Sequence, residues 1–103
     1  MLKIGVTGAA GRMGRNLIQA CYENSNCQPG AAIEHPDSPY LGRDIGDVVG
    51  IGALNVHVTD KLIDVIDDFD ALIDFTRDEV TRKTIEMCVD HGKLLQNAVR
   101  WAT

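Results

Sequence analysis

Three glycines carry the clearest chemical signal in this chain. Gly8, Gly11 and Gly14 lie in the stretch Gly8-Ala9-Ala10-Gly11-Arg12-Met13-Gly14, directly after the apolar-rich residues 2–7. The first glycine permits a tight turn out of a strand, and the second admits a phosphate close to the backbone. The third lets a following helix pack closely on that strand. A helix beginning there aims unpaired backbone N–H groups and its positive dipole end at the turn, which suits an anion. Arg12 adds a cation to the same turn. The spacing is G-x-x-G-x-x-G, not the G-x-G-x-x-G of the usual dinucleotide fingerprint. A βα turn without a ligand uses the same glycines, so the loop alone leaves both readings open.

Glu34 adds a second feature. It ends the apolar run Gly30-Ala31-Ala32-Ile33, twenty residues beyond Gly14. That is where a dinucleotide site places the acid that accepts hydrogen bonds from the adenosine ribose. An exposed acid at a strand end is the plain alternative. Strand, glycine turn, helix, strand and acid in this order predict dinucleotide binding. A carboxylate at this place repels the 2′-phosphate of NADP, and His35 next to it is a weaker phosphate partner than an arginine. The expectation is NAD(H) ahead of NADP(H), with some NADP(H) tolerated. Thr76 and Arg77 follow the apolar residues 71–75 and should reach the carboxyl edge of the sheet, where ligands bind. Arg77 is placed there for the adenosine end of a cofactor or for solvent.

The other reactive side chains read as structural. His57 and His91 have no partner pattern. Cys21, Cys27 and Cys88 are odd in number and lack metal-ligand spacing, so reduced thiols in a cytoplasmic protein are expected, with no metal site. Asp64, Asp67, Asp68 and Asp70 read as a solvated rim.

The elements that must position the site alternate between strand and helix. Residues 2–7 predict a buried strand. From Met13 the apolar positions Met13, Leu17, Ala20 and Cys21 form a helical stripe, ended by Asn24-Ser25-Asn26. A second strand over 30–34 closes at His35-Pro36. Residues 35–54, with Pro36, Pro39 and four glycines, show no period and read as a functional or mobile connection. Residues 55–58 alternate like a strand. Asp60 is placed to cap a short helix with Leu62, Ile66 and Phe69 on one face. Residues 71–75 predict a buried strand. A helix follows, capped by Thr76, with Val80, Thr84, Met87, Cys88 and His91 on one face and Gly92 as its stop. This pattern predicts an α/β fold, a Rossmann-like parallel sheet with helices on both faces.

Size and charge limit the rest. The chain has 103 residues, 45% hydrophobic and 24% charged, enough for one globular domain. The net charge is −5, and the only adjacent basic pair is Arg82-Lys83. A nucleic-acid or anionic-lipid surface is therefore not expected. No apolar run nears the ~20 residues of a membrane span, and the N-terminus does not read as a secretion signal.

Residues 4–15, from Ile4-Gly5-Val6-Thr7 through Gly8-Ala9-Ala10-Gly11 to Arg12-Met13-Gly14-Arg15, resemble the opening of bacterial dihydrodipicolinate reductases, also called 4-hydroxy-tetrahydrodipicolinate reductases. Ala31-Ala32-Ile33-Glu34, Leu41-Gly42-Arg43-Asp44-Ile45-Gly46, Ile73-Asp74-Phe75-Thr76-Arg77 and residues 88–93 continue the resemblance in order. It implies NAD(P)H-dependent reduction of a cyclic imine-type intermediate of the diaminopimelate and lysine pathway. It implies that Gly8, Ala9, Ala10, Gly11, Arg12 and Met13 form the pyrophosphate loop and that Glu34 is the ribose acid. His35 falls where some members carry an arginine for the 2′-phosphate, and Thr76 and Arg77 match the turn near the adenosine.

In the family, the catalytic histidine and lysine belong to a later domain, so no catalytic residue is assigned here. After His91-Gly92-Lys93 the family continues with a buried strand and a G-T-T-G turn, whereas this chain reads Leu94-Leu95-Gln96-Asn97 and ends at Thr103. The expectation is a partial NAD(P)-binding domain over 1–93, incomplete at its C-terminus, with 94–103 a tail foreign to the family and the substrate domain absent. Such a truncated chain would bind the adenosine–pyrophosphate half of the cofactor weakly, would not turn over, and would self-associate through newly exposed surface. A non-catalytic nucleotide-sensing Rossmann module is the alternative. A short-chain dehydrogenase would need Tyr-x-x-x-Lys, but Asn26 and Asp44 stand at the fourth positions after Tyr22 and Tyr40.

Overall fold

The computed structural model describes the backbone of residues 1–74 and 82–97, with side chains over 1–74 and 86–94. Strand β1 (Leu2–Thr7) is flanked on both sides, which explains why its second half is fully withdrawn from water. Strand β2 (Cys27–Ile33) pairs with it on one side and β4 (Ala71–Asp74) on the other. Short β3 (Val58–Thr59) extends the β2 side and β5 (Leu94–Asn97) the β4 side. All pairings are parallel, in the order β3-β2-β1-β4-β5. The order reverses at β1, and open parallel sheets bind ligands beyond the carboxyl ends at such a reversal.

Period-two alternation divides the sheet's side chains between two cores. Ile4, Val6 and Ala32 face a cluster with Ile18 and Cys21 of α1 (Arg12–Glu23) and with Ile45 of α2 (Ile45–Val49). Ala31, Ile33 and Leu72 face the opposite way, against Ile66, Phe69 and Cys88 of α3 (Arg82–Asp90). Helices therefore cover both faces, as the pattern predicts. Helix α1 spans the predicted residues and ends at Asn24, whose backbone N–H bonds back to Cys21, but its buried face is Gly14, Ile18 and Cys21. Of the expected stripe, Met13 and Ala20 are exposed and Leu17 is half-buried, because the close approach at Gly14 turns that side of the helix to the sheet.

Several boundaries differ from the sequence expectation, each for a local reason. Strand β2 starts at Cys27, not at Gly30, and runs through Pro29. Gly30 is an extra residue in the register between Ile4↔Pro29 and Gly5↔Ala31, and β3 reaches only Ala32 and Ile33, so Pro29 has no ladder partner to deprive on the β3 side. The irregular segment 35–54 contains α2, too short at five residues to show a period. The strand expected over 55–58 is displaced to Val58–Thr59, because Asn55 has φ +60 and His57 meets Asp44 only in an isolated antiparallel bridge. Asp60 does not cap a helix. The turn at Leu62–Val65 is a 3-10 helix entered at Lys61 without a side-chain cap, although Ile66 and Phe69 are buried as expected. His91 is exposed, off the buried face of α3, and its Nδ1 lies 2.8 Å from the Met87 carbonyl. Phe75, the expected end of β4, lies outside the described residues.

Candidate functional site

The site forms where β1 runs out. Gly8 takes φ +71, a conformation side chains rarely adopt, and its N–H and that of Ala9 donate to the Ile33 carbonyl at 2.9 and 3.3 Å. The loop is thus tied to the end of β2 before it turns back. Gly11 stands at the start of α1, and no side chain caps the helix there. The first-turn N–H groups and the dipole's positive end are left for an anion. Gly14 explains the third glycine: a Cβ on it would lie 2.2 Å from the Gly8 carbonyl oxygen and 2.8 Å from the Ala9 Cα. Only glycine lets the helix sit this close to the loop.

Glu34 emerges from β2 beside that loop. Its backbone N–H is fixed to the Thr59 carbonyl at 2.9 Å, and its Oε2 accepts the Ala10 N–H at 2.8 Å. The His35 N–H reaches Oε1 at 3.3 Å. A carboxylate oxygen carries two lone pairs, so both oxygens retain capacity for further donors. On the far side of Ala10, the carbonyl accepts Arg15 Nε at 2.6 Å. Arg15 Nη2 in turn donates to the Tyr40 hydroxyl at 2.9 Å, and the guanidinium lies 5.2 Å from the Tyr40 ring centroid.

Beneath the loop, the Thr7 hydroxyl donates to the buried Asp74 carboxylate, joining the carboxyl ends of β1 and β4. Further along, Asp44 holds α2 against the chain that follows. Its Oδ1 accepts from the N–H groups of Gly46 and Leu54 at 2.8 and 2.9 Å, and its Oδ2 from Asn55 at 2.6 Å. Burial pushes the Asp44 pKa up, but the backbone N–H groups of Leu54, Gly46, Asn55 and Val56 outweigh it, and the net shift is downward.

The structure thus brings Gly8, Ala9, Ala10, Gly11, Arg12, Met13, Glu34 and His35 to one edge of the sheet. Arg12, Met13 and His35 are exposed there. Thr76 and Arg77 lie outside the described residues. Arg15, Tyr40, Thr7 and Asp74 were not singled out by sequence. Arg15 and Tyr40 have no mutual spacing that signals a pair. Asp74, an acid inside an apolar run, was the signal available for the Thr7 bond.

Burial makes Cys21 and Cys88 poor nucleophiles. Burial and the adjacent Cys27 thiol push Cys21 up to about 12, and burial raises Cys88. All three cysteines are free. Asp64, Asp67, Asp68 and Asp70 are exposed. Among the described residues no three His, Cys, Asp or Glu side chains converge as a metal site, and no helix is long and apolar enough to cross a membrane.

Solved structures share this architecture. A dipicolinate-bound dihydrodipicolinate reductase from Paenisporosarcina sp. TG-14 superposes with a TM-score of 0.65 at 20% identity, covering 94% of this chain and 37% of its own. An aspartate semialdehyde dehydrogenase with NADP from Candida albicans gives 0.69 at 17% identity, over 94% of this chain and 29% of its own. A scyllo-inositol dehydrogenase from Lactobacillus casei, with bound NAD(H) and scyllo-inositol, gives 0.68 at 20% identity, over 94% and 27%. The chain therefore spans between a quarter and two fifths of the length of these proteins, and at such identities the likeness establishes a Rossmann-like fold. The family model described as dihydrodipicolinate reductase, N-terminus, matches residues 2–95. That match reaches two residues into the stretch read as a tail, where Leu94 and Leu95 pair with Ala71 and Leu72. With nearly the whole chain matched, the protein belongs to the dihydrodipicolinate reductase N-terminal family.

Proposed function

We propose that this chain is the dinucleotide-holding part of an NAD(P)H-dependent 4-hydroxy-tetrahydrodipicolinate reductase of the diaminopimelate and lysine pathway, acting in the cytoplasm. The observation that carries this reading is the Glu34 carboxylate held at Ala10 in the glycine loop that leads into the uncapped start of α1. The residues fit the group. Gly14 leaves no room for a Cβ, no side chain caps the start of α1, and an acid stands at the end of β2. Gly8, Ala9, Ala10 and Gly11 would shape the diphosphate loop, their N–H groups being bonded to Ile33, Glu34 and Gly8. The first-turn N–H groups of Arg12 and Met13 and the Arg12 cation would hold the diphosphate. Glu34 accepts from the adenosine ribose, with His35, Thr76 and Arg77 around the adenosine end. When bound, the dinucleotide supplies hydride to the cyclic imine.

The fixed charge of Glu34 supports NAD(H) over NADP(H). Two hydrogen bonds from N–H groups hold the carboxylate in place, so accepting a 2′-phosphate means bringing two anions together. Residues 1–93 form the cofactor-binding unit in this reading, and none of the residues named here is assigned to substrate. Calorimetric titration of the purified chain with NADH and NADPH tests both parts. Binding of both, with NADH tighter, is expected. Tighter NADPH overturns the preference, and binding of neither overturns the proposal.

A further inference from the structure

Ala10 is gripped from both sides, and only one grip belongs to the ribose acid. Glu34 takes its N–H, while Arg15 takes its carbonyl through Nε and passes Nη2 to the Tyr40 hydroxyl. Resting on the dinucleotide reading above, we propose that Arg15 and Tyr40 are positioning residues for the diphosphate loop, acting through the Ala10 peptide.

The argument begins with the carbonyl. A loop that binds an anion must present N–H groups to it, and each carbonyl oxygen near the ligand repels it. Arg15 neutralises the Ala10 oxygen with a charged donor and fixes the residue between Gly8 and Gly11, two positions with the wider backbone freedom of glycine. A loop held in its binding conformation pays less ordering entropy when ligand arrives. Arg15 is not needed for the helix core, since α1 buries Gly14, Ile18 and Cys21.

Tyr40 holds Arg15 in turn. It accepts from Nη2 while its ring lies against the guanidinium. Its own position comes from successive turns: Ser38 N–H to the His35 carbonyl at 3.0 Å, Tyr40 N–H to Ser38 Oγ at 3.1 Å, and Arg43 N–H to the Tyr40 carbonyl at 3.0 Å. Gly42 N–H then anchors the segment to Val58 of β3 at 2.9 Å. The long connection after β2 is thereby docked on the glycine loop through one side chain. A lysine at position 15 has one charged tip and cannot span both acceptors as the planar guanidinium does.

The test uses the 103-residue chain and two probes, ADP-ribose and adenosine. In calorimetry, Arg15→Ala is expected to weaken ADP-ribose by roughly tenfold, with Arg15→Lys and Tyr40→Phe each weakening it by about threefold. Adenosine affinity should stay at the wild-type value in all three, because it carries no phosphate for the loop. Tyr40→Phe should add nothing to Arg15→Ala, since Tyr40 acts through Arg15. Unchanged ADP-ribose affinity in Arg15→Ala overturns the inference, as does an equal loss for both probes. If Arg15→Ala does not fold, wild-type ADP-ribose affinity in Arg15→Lys and Tyr40→Phe overturns it equally. A wild-type chain that binds no dinucleotide is a different result, the failure of the functional reading itself.

Discussion

A carboxylate withdrawn from water keeps its charge only where donors replace the lost solvent, and Asp44 has such donors. It is 9% exposed and takes backbone N–H groups from both sides of the bend at residues 46–56. Its folded pKa lies below the unfolded value of about 3.9, so its stabilisation is complete above that pH and is lost as pH falls through the folded value. Asp44→Asn puts an NH₂ group where an acceptor is needed and should cost about 2–3 kcal/mol at neutral pH. Urea midpoints check this: the gap between wild type and variant should be constant from pH 5 to 7 and narrow below about pH 4. A gap that does not change on acidification excludes the carboxylate as its source. At this scale the site was legible where backbone chemistry leaves a residue signature. Gly8, Gly14 and Glu34 announce themselves because few side chains, or one kind of charge, suit their places. Arg15 and Asp44 are not legible, since their partners are backbone atoms set by turns and, for Arg15, a tyrosine at no regular spacing, none of which a side-chain pattern records.

The pairing of β1 with α1 shows how an element can contradict its own propensity. Within a helix, alanine is favoured over glycine by roughly 1 kcal/mol. Gly14→Ala nevertheless sets a Cβ 2.2 Å from the Gly8 oxygen, and backbone at both ends leaves little to yield. The variant should lose about 1–3 kcal/mol of stability and at least tenfold in dinucleotide affinity, because relief moves the loop. Thermal unfolding by circular dichroism and calorimetry with NADH read the two losses separately. A variant more stable than wild type, binding normally, would mean the helix propensity wins and the close approach is not needed. The same contrast explains which elements could be read. Helix α1 spans enough turns to show its period, although the face it buries runs through Gly14 and Ile18 and not through Met13 and Ala20. The short α2 is instead set by Asp44 at its start and by Gly50, at φ +87, at its end. The two-residue β3 forms where β2 offers an edge; the alternation over 55–58 signals a strand but not its confinement to Val58–Thr59.

For the molecule as a whole, the proposed reading divides the two ends of a dinucleotide at the reversal of strand order at β1. On the β2 side stand Glu34, the glycine loop and the connection docked by Tyr40, all suited to adenosine and diphosphate. The β4 and β5 side supplies no described residue that the reading assigns to nicotinamide. If the chain reads mainly the adenosine–diphosphate half, ADP-ribose and NADH should bind within about threefold of each other. Each should also raise folding stability, by about 2.7 kcal/mol at a concentration one hundred times its Kd, because binding is confined to the native state. Thermal-shift series with the two ligands, matched to calorimetric Kd values, measure both quantities. NADH binding more than about tenfold tighter than ADP-ribose would place nicotinamide contacts within residues 1–103, worth at least ~1.4 kcal/mol. Equal curves for the two ligands would instead confine recognition to the β2 side, so that orienting the nicotinamide for hydride transfer falls to groups beyond these residues.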